Sequence, residues 1–217
     1  MPRSKRHKVV SLTKVKPKDR EHKTKIISDL REAMDTYSSV FVFSFENMRT
    51  SVFKDVREHF EGSKISLGKN KLMQTALGKS SEDEYKENMH LIGDKLVGES
   101  GLLFTDLPKK EVIAYFENLR VSDFAKAGVV PKESIIIKPG PLTFPPDMLD
   151  QLRKLGMVVE IKNGTVVLQT GFQATTKGVA LSPEQAKVLV HMGKKISVFK
   201  VNVTGYWHDG EFEDLEV

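Results

Sequence analysis

Residues 197–207 read SVFKVNVTGYW. β-branched and aromatic residues fill this stretch, and it alternates: Val198, Lys200, Asn202 and Thr204 fall on one side, Phe199, Val201, Val203 and Gly205 on the other. A period of two is the mark of a β-strand. A strand cannot stand alone, and the other sheet-forming runs lie far upstream. They are SSVFVFSF (residues 38–45), KISLG (64–68) and GLLFT (101–105). The near-continuous apolarity of the first and last predicts strands covered on both faces. The simplest topology returns residues 197–207 to that first sheet and makes the segment between an insertion. The expected fold is therefore α/β: an α/β sandwich interrupted by a small α+β insertion domain.

The helices of the sandwich follow from a period near 3.6. Pro17 suits a helix's first position, and Ile26, Ile27, Leu30, Ala33, Met34 and Tyr37 then recur at helical spacing, which leaves Lys23, Lys25 and Arg31 facing outward. Thr50 is placed to cap a helix through about residue 60, with Val52, Phe53, Val56 and Phe60 as its apolar stripe. A short helix is expected over 71–77. Ser81 followed by Glu84 has the form of a capping box for another, and Pro108 opens a helix to about residue 119.

After residue 119 the texture changes, and Pro131, Pro139, Pro141, Pro145 and Pro146 crowd the next segment. SIIIK (134–138) reads as a strand and 147–155 as a short helix. MVVEIKNGTVVLQ (157–169) reads as a hairpin turned by Asn163-Gly164, which supplies the positive φ of a tight turn. Ser182-Pro183-Glu184-Gln185 combines an N-cap, an N1 proline and a capping-box Gln, so a helix to about residue 192 is expected. The domain boundaries read in this way are a basic arm over 1–20, the sandwich over 21–121 and 181–217, and the insertion over 122–180.

Composition bounds the chemistry. The 217 residues include no cysteine, which excludes disulfides, thiolate zinc sites and cysteine catalysis. No apolar run approaches the roughly 18 residues of a membrane span, so no membrane partner is expected. The start MPRSKRHKVV has no apolar stretch of signal-peptide length. The net charge is +5, unevenly placed: residues 1–25 hold ten Lys or Arg against two acids, a net +8 that leaves −3 for the other 192 residues. A cationic end on a near-neutral body suits a polyanion-binding arm, an import signal or a solvated tail.

The stretch ISLGKNKLMQTALGKS (65–80) contains Gly-Lys twice. A nucleotide P-loop needs Gly, four residues, then Gly-Lys-Ser/Thr. The interval from Gly62 to Gly68 is one residue too long, and Asn70 stands where the hydroxyl belongs. Before Gly78-Lys79-Ser80, Met73 stands where the first Gly belongs, and Gly78 sits where a helix C-cap is expected. Gly68-Lys69-Asn70-Lys71 is different. It lies between a strand and a helix N-terminus, where unpaired N–H groups and a partial positive charge suit an anion. Two readings stay open from the residues alone: a seat for a backbone phosphate, or an Asn N-cap beside two solvated lysines. The six histidines show no metal-ligand spacing, no serine sits in a nucleophile elbow, and Tyr206-Trp207-His208 suits core closure or base stacking. No catalytic residue, metal or cofactor is expected.

MPRSKRHKVVSLTK at the start, GKNK after a strand, DEYKEN (83–88), GLLFT and GFQATTKGVALSPEQAKVL (171–189) followed by FKV together resemble the mRNA turnover protein 4 family of eukaryotic ribosome-assembly factors. The resemblance covers essentially the whole chain and extends to the ribosomal stalk-base protein (P-zero in eukaryotes, L-ten in bacteria). It implies an RNA-binding α/β sandwich with an insertion domain, and no enzymatic activity. It also implies binding to large-subunit ribosomal RNA at the stalk base of pre-ribosomal particles, held until the mature stalk protein takes the site. The implied partners are that RNA, proteins of the precursor particle and a release factor of the dual-specificity phosphatase type. The implied location is the nucleolus and nucleus, with shuttling to the cytoplasm. Carried over by motif, the RNA-facing positions are Arg3, Lys5, Arg6 and Lys8 in the arm, Lys69, Asn70 and Lys71 in the turn, and Arg49 in NMRT (47–50). The chain ends at GEFEDLEV, without the helices and acidic tail of the mature stalk protein, so no binding of acidic stalk proteins is expected. Two other classes stay in view: a stalk-base protein working in translation, which would bind acidic stalk partners, and an RNA- or nucleotide-directed enzyme, which would need a P-loop or carboxylate cluster.

Overall fold

A computed structural model describes residues 20–215, so Arg3, Lys5, Arg6, Lys8 and the helix start at Pro17 lie outside the described residues. In chain order the elements are α1 (Arg20–Thr36), β1 (Ser39–Glu46), α2 (Thr50–His59), β2 (Lys64–Ser66), α3 (Asn70–Leu77), α4 (Met89–Asp94), β3 (Ser100–Thr105), α5 (Lys109–Asn118) and β4 (Arg120–Asp123). They continue with β5 (Ile135–Ile137), β6 (Gly140–Pro141), a 3-10 turn Pro146–Met148 leading into α6 (Leu149–Lys154), β7 (Val159–Lys162), β8 (Thr165–Leu168), β9 (Phe172–Thr175), α7 (Pro183–His191), β10 (Ser197–His208) and β11 (Glu211–Asp214). The main sheet has the order β11-β10-β1-β3-β2, with β4 also on β10, so the late strand does return beside the first. The chain packs as two compact units. Of the described residues, unit one takes 20–44, Gly62–Leu107 and 203–215; unit two takes Phe45–Glu61 and Pro108–Asn202.

In unit one, β1 pairs antiparallel with β3 in the register Ser39↔Thr105 to Ser44↔Ser100, and β2 pairs antiparallel with β3 from the other side. Successive residues of β1 and β3 point to opposite faces, yet Val40, Phe41, Val42, Leu102, Leu103 and Phe104 are all fully buried. Both faces are therefore covered, at roughly 1.5–3 kcal/mol of stabilisation per large apolar side chain. The continuous apolar run was the signal, and it holds here in an antiparallel sheet, where one wet face is common. Gly101 lies opposite Phe43 and has no side chain for a reason: a Cβ there would stand 2.8 Å from Phe43 Cζ and 2.6 Å from Leu67 Cδ2. On one face α1 lays Leu30, Ala33 and Met34 against Met73, Ala76, Leu77, Ile92 and Trp207, with Ile26, Ile27 and Tyr37 at the margin. Lys23 and Lys25 are exposed as expected, but Arg31 is not turned outward. Its Nε donates to Ala76 O at the end of α3, and its guanidinium lies 5.1 Å from the Tyr85 ring.

The capping box expected at Ser81–Glu84 does not form, and no helix occupies 79–88. Residues 78–88 are instead an irregular strap held by long-range contacts. Gly78 ends α3 at φ +111°, and a Cβ there would meet Glu84 Cα at 2.3 Å. Tyr85 Oη donates to Asp35 Oδ2 (2.7 Å), and the Lys86 ammonium reaches Met34 O, the open carbonyl end of α1. Trp207 Nε1 donates to Glu87 O (2.8 Å), and Asn88, in the left-handed region at φ 60°, donates to Gly210 O (2.8 Å). Glu84 turns to His90 Nδ1 rather than to a helix cap.

In unit two, α2 and α5 join through rings: His59 stacks on Tyr115 at 3.8 Å and Phe60 on Phe116 at 5.3 Å. β4 pairs with Ser197–Lys200 of β10, a strand that residues 120–123 do not announce. The Asn163-Gly164 hairpin forms as expected, at φ 51° and 76°, between β7 and β8. The Ser182/Gln185 capping box also forms, with both hydrogen bonds present. α7 then places Val188 among Leu152, Val166 and Leu168, and Leu189 among Ala125, Ala174 and Leu181. Along β10 the odd-numbered residues are covered, as the alternation requires, except Val203, which is half-buried while its neighbour Thr204 is covered, its hydroxyl 3.5 Å from Val42 O.

Candidate nucleic-acid interface

The turn between β2 and α3 is built from both sides. Upstream, Lys64, Ile65 and Ser66 pair with Phe104, Leu103 and Leu102, which fixes where the chain leaves the sheet. Downstream, Met73, Ala76 and Leu77 are buried, and Gln74 Nε2 donates to Gly93 O (3.1 Å), which fixes α3 against α4. The residues between have little choice of position.

Within the turn, the helix begins one residue earlier than its apolar pattern suggests. Lys69 is the N-cap residue, in extended conformation with φ −74° and ψ 122°, and Asn70 is the first helical residue. Asn70 therefore does not cap the helix. Its Nδ2 donates across the turn to Gly98 O (2.9 Å), locking the turn to the loop before β3. Among the described residues no side chain caps α3, and no acid lies in its first turn. Lys69 O accepts from the amides of Leu72 (2.8 Å) and Met73 (3.2 Å), while the amides of Asn70 and Lys71 meet no acceptor among the described residues. Lys69 and Lys71 are exposed and form no ion pair among the described residues. Their neighbour Lys64 is used differently, its ammonium bound to Asp29 O of α1.

Two unpaired ammonium groups beside unpaired helix amides make a local field that favours an anion. The side chains bring no nucleophile, general base or metal ligand to the turn. What the arrangement can do is bind a phosphate and fix its place.

Arg49 is in unit two and is already paired. Its Nε lies 2.6 Å from Asp123 Oδ2, and its Nη2 donates to Phe124 O. It is also the N-cap residue of α2, in place of the expected Thr50, and its side chain makes no cap hydrogen bond. The ion pair holds the start of α2 to the end of β4. Tyr206-Trp207-His208 serves core closure: Trp207 is buried, Tyr206 packs 4.7 Å from Phe41, and His208 Nδ1 lies 3.0 Å from Ser39 Oγ. Gly78-Lys79-Ser80 is the end of α3, where the Gly78 amide donates to Gln74 O (3.0 Å).

The chain has clear relatives among known proteins. Residues 18–121 match the family model described as ribosomal protein L10, and residues 125–193 match a second model, described as the insertion domain in the 60S ribosomal protein of that same kind. A Dictyostelium discoideum protein named ribosome assembly factor mrt4 is 40% identical over 98% of this chain and 96% of its own length. The chain belongs to the mrt4 family of ribosome assembly factors. A Saccharomyces cerevisiae protein of the same name is 34% identical over 95% of this chain and 94% of its own. A large ribosomal subunit protein uL10 from Oxybasis rubra is 26% identical over 94% of this chain but only 64% of its own length. The family resemblance carried by GKNK, DEYKEN and GLLFT is thus borne out, and so is an α/β domain with an insertion. Of the motifs that carried it, DEYKEN (83–88) is mostly an anchoring segment in this chain.

Proposed function

We propose that this chain is a ribosome biogenesis factor that binds large-subunit ribosomal RNA at the stalk base of pre-ribosomal particles and occupies the site until the mature stalk protein replaces it. The observation that carries the reading is the turn: Lys69 and Lys71 flank an uncapped helix N-terminus with no partner of their own among the described residues. The family supports it, since relatives along the full chain are named ribosome assembly factors and more distant ones are large-subunit proteins. Lysines displace counterions from phosphates, and the rigid turn fixes register. Asn70 holds the turn in shape through Gly98. Arg3, Lys5, Arg6 and Lys8 add affinity from the arm. Arg49, paired with Asp123, is the weakest of the eight contacts. RNA shape sets specificity, because a lysine turn reads no base edges. The function needs no chemical step.

The RNA-binding part is residues 21–121 with 181–217, and α7 links it to the insertion whose core it closes. The factor works in the nucleolus and nucleus, shuttles to the cytoplasm, and leaves the particle with the help of a phosphatase-like release factor.

The test is a titration of the full chain against a stalk-base fragment of large-subunit RNA at two salt concentrations. Lys69→Ala with Lys71→Ala is expected to weaken binding and to reduce the log–log salt slope by about 0.7–0.9 for each lost contact. Unchanged affinity with an unchanged slope removes the turn from the interface.

A further inference from the structure

Unit two carries an outward surface that this reading does not use. Residues 128–137 and 172–181 lie side by side as a ribbon. Gly128 N–H donates to Leu181 O (2.9 Å), Leu181 N–H to Val129 O (2.9 Å) and Gly178 N–H to Pro131 O (3.1 Å). Further along, Lys177 N–H donates to Ser134 Oγ (2.9 Å), and β5 pairs with β9 through Ile136↔Gln173 and Ile137↔Phe172. The inner side is accounted for, because Val129, Ile135, Ile137, Phe172, Ala174 and Leu181 pack into one apolar cluster. The outer side is not. Val130, Ile136 and Val179 are 55%, 62% and 57% exposed. Lys132, Lys138 and Lys177 are exposed around them and form no ion pair among the described residues, whereas Lys162 nearby in sequence pairs with Glu160 at 2.7 Å. Glu133 is the sole acid in the two segments. β5 and β9 form a sheet of their own, so each keeps one edge without a partner strand among the described residues.

We infer that this outer ribbon surface of Val130, Ile136, Val179, Lys132, Lys138 and Lys177 docks a protein segment in which acidic and aliphatic side chains alternate. Three lysines that form no ion pair among the described residues, against the single acid Glu133, call for a negative partner. The branched aliphatics between them are dehydrated only by apolar side chains, which a phosphodiester chain lacks. The surface offers no aromatic ring or arginine on which a base could stack. A second copy of this chain would set lysine against lysine across a two-fold axis. An extended segment alternating in charge and apolarity meets both features, and an open strand edge supplies its backbone partners. The docking surface shares no residue with the turn in unit one that carries the RNA reading.

The test uses the full chain and a fluorescent peptide of about twelve residues alternating Asp or Glu with Leu or Val, read by anisotropy. Two control peptides replace the acids with Lys, or the aliphatics with Ser. The acidic-aliphatic peptide is expected to bind at least about tenfold more tightly than either control. Val130→Ser with Ile136→Ser, and separately Lys132→Gln with Lys177→Gln, are each expected to weaken it about tenfold while leaving the RNA titration unchanged. The inference is overturned if the peptide shows no preference over its controls, or if neither variant pair affects it. It is also overturned if these variants weaken binding to the RNA fragment, which makes the occupant RNA, or if they abolish a concentration-dependent dimer, which makes it a second copy.

Discussion

In the strap 78–88, Glu84 meets His90, Tyr85 meets Asp35, Lys86 meets the end of α1, and Asn88 meets Gly210. In the turn 68–71 of the same unit, the side chains of Lys69 and Lys71 meet nothing among the described residues, and that of Asn70 alone is tied. Both stretches are polar, both adjoin α3, and both carry the family resemblance. The contrast shows what separates a structural polar residue from one available to a ligand. In the strap, Lys86 and Asn88 satisfy part-buried backbone carbonyls, where a lost partner costs about 1–3 kcal/mol, and Glu84 and Tyr85 pair with side chains of other elements. In the turn, the fold has left cations and amides unsatisfied at the surface, where water satisfies them cheaply and a phosphate can replace it.

The largest break in that contrast is expected at Gly78. Its φ of +111° is strained for any other residue, and an alanine Cβ would lie 2.3 Å from Glu84 Cα and 2.7 Å from Asp83 O, both backbone atoms that cannot swing aside. Gly78→Ala is expected to cost about 3 kcal/mol or more, read as a lower urea midpoint at unchanged slope. A shift below about 1 kcal/mol would mean the strap detaches without harm to unit one and is no anchor.

A smaller and pH-dependent effect is expected at Glu84. The hydrogen bond from His90 holds its carboxyl below the usual carboxylate range, with lesser help from backbone amides and against the opposing effect of burial. A folded value below the unfolded one means the contribution is present above about pH 4.3 and is lost as pH falls through the folded value. Asp106 acts in the same direction, held down by the backbone and hydroxyl of Ser38. Stability is therefore expected to fall as pH drops below the ordinary carboxylate range, and to fall less in Glu84→Gln. Parallel curves for the two proteins would take Glu84 out of the account.

These two cases also mark how much the residues revealed. α1, β1, β3, the Asn163-Gly164 hairpin and the Ser182 capping box were legible because their signals are local: a period, a turn pair, a cap four residues long. The strap was not. Ser81 and Glu84 have the spacing of a capping box, but the chain direction set by Gly78 and partners in α1, β10 and the turn after it override that local signal. β4, β6 and β9 are two to four residues long and exist through pairing with strands far away in the chain, so no internal pattern announces them, whereas β11 folds back on β10 through the local Asp209-Gly210 turn. At the candidate site, the exposure of Lys69 and Lys71 was readable from a strand meeting a helix. Asn70 looked like a cap because its partner, Gly98, lies 28 residues away. Arg49 looked like a free cation for the same reason, since Asp123 comes from another strand.

The smallest expected effect on stability is the one that sharpens the contrast most. The side chains of Lys69 and Lys71 make no described bond that the substitution would remove, and alanine is a good residue for the first turn of a helix. Lys69→Ala with Lys71→Ala is therefore expected to change unfolding stability by no more than about 0.5 kcal/mol, in the range of ordinary surface substitutions. Lys64→Met in the same strand–turn–helix unit should cost about 1 kcal/mol, the net worth of the hydrogen bond it takes from Asp29 O. Together the two measurements separate binding from folding at one place in the chain. A stable double variant that loses RNA affinity and salt slope assigns the loss to phosphate contact. If instead the double variant is as destabilised as Lys64→Met, the turn's lysines serve the fold, and the distinction between strap and turn disappears.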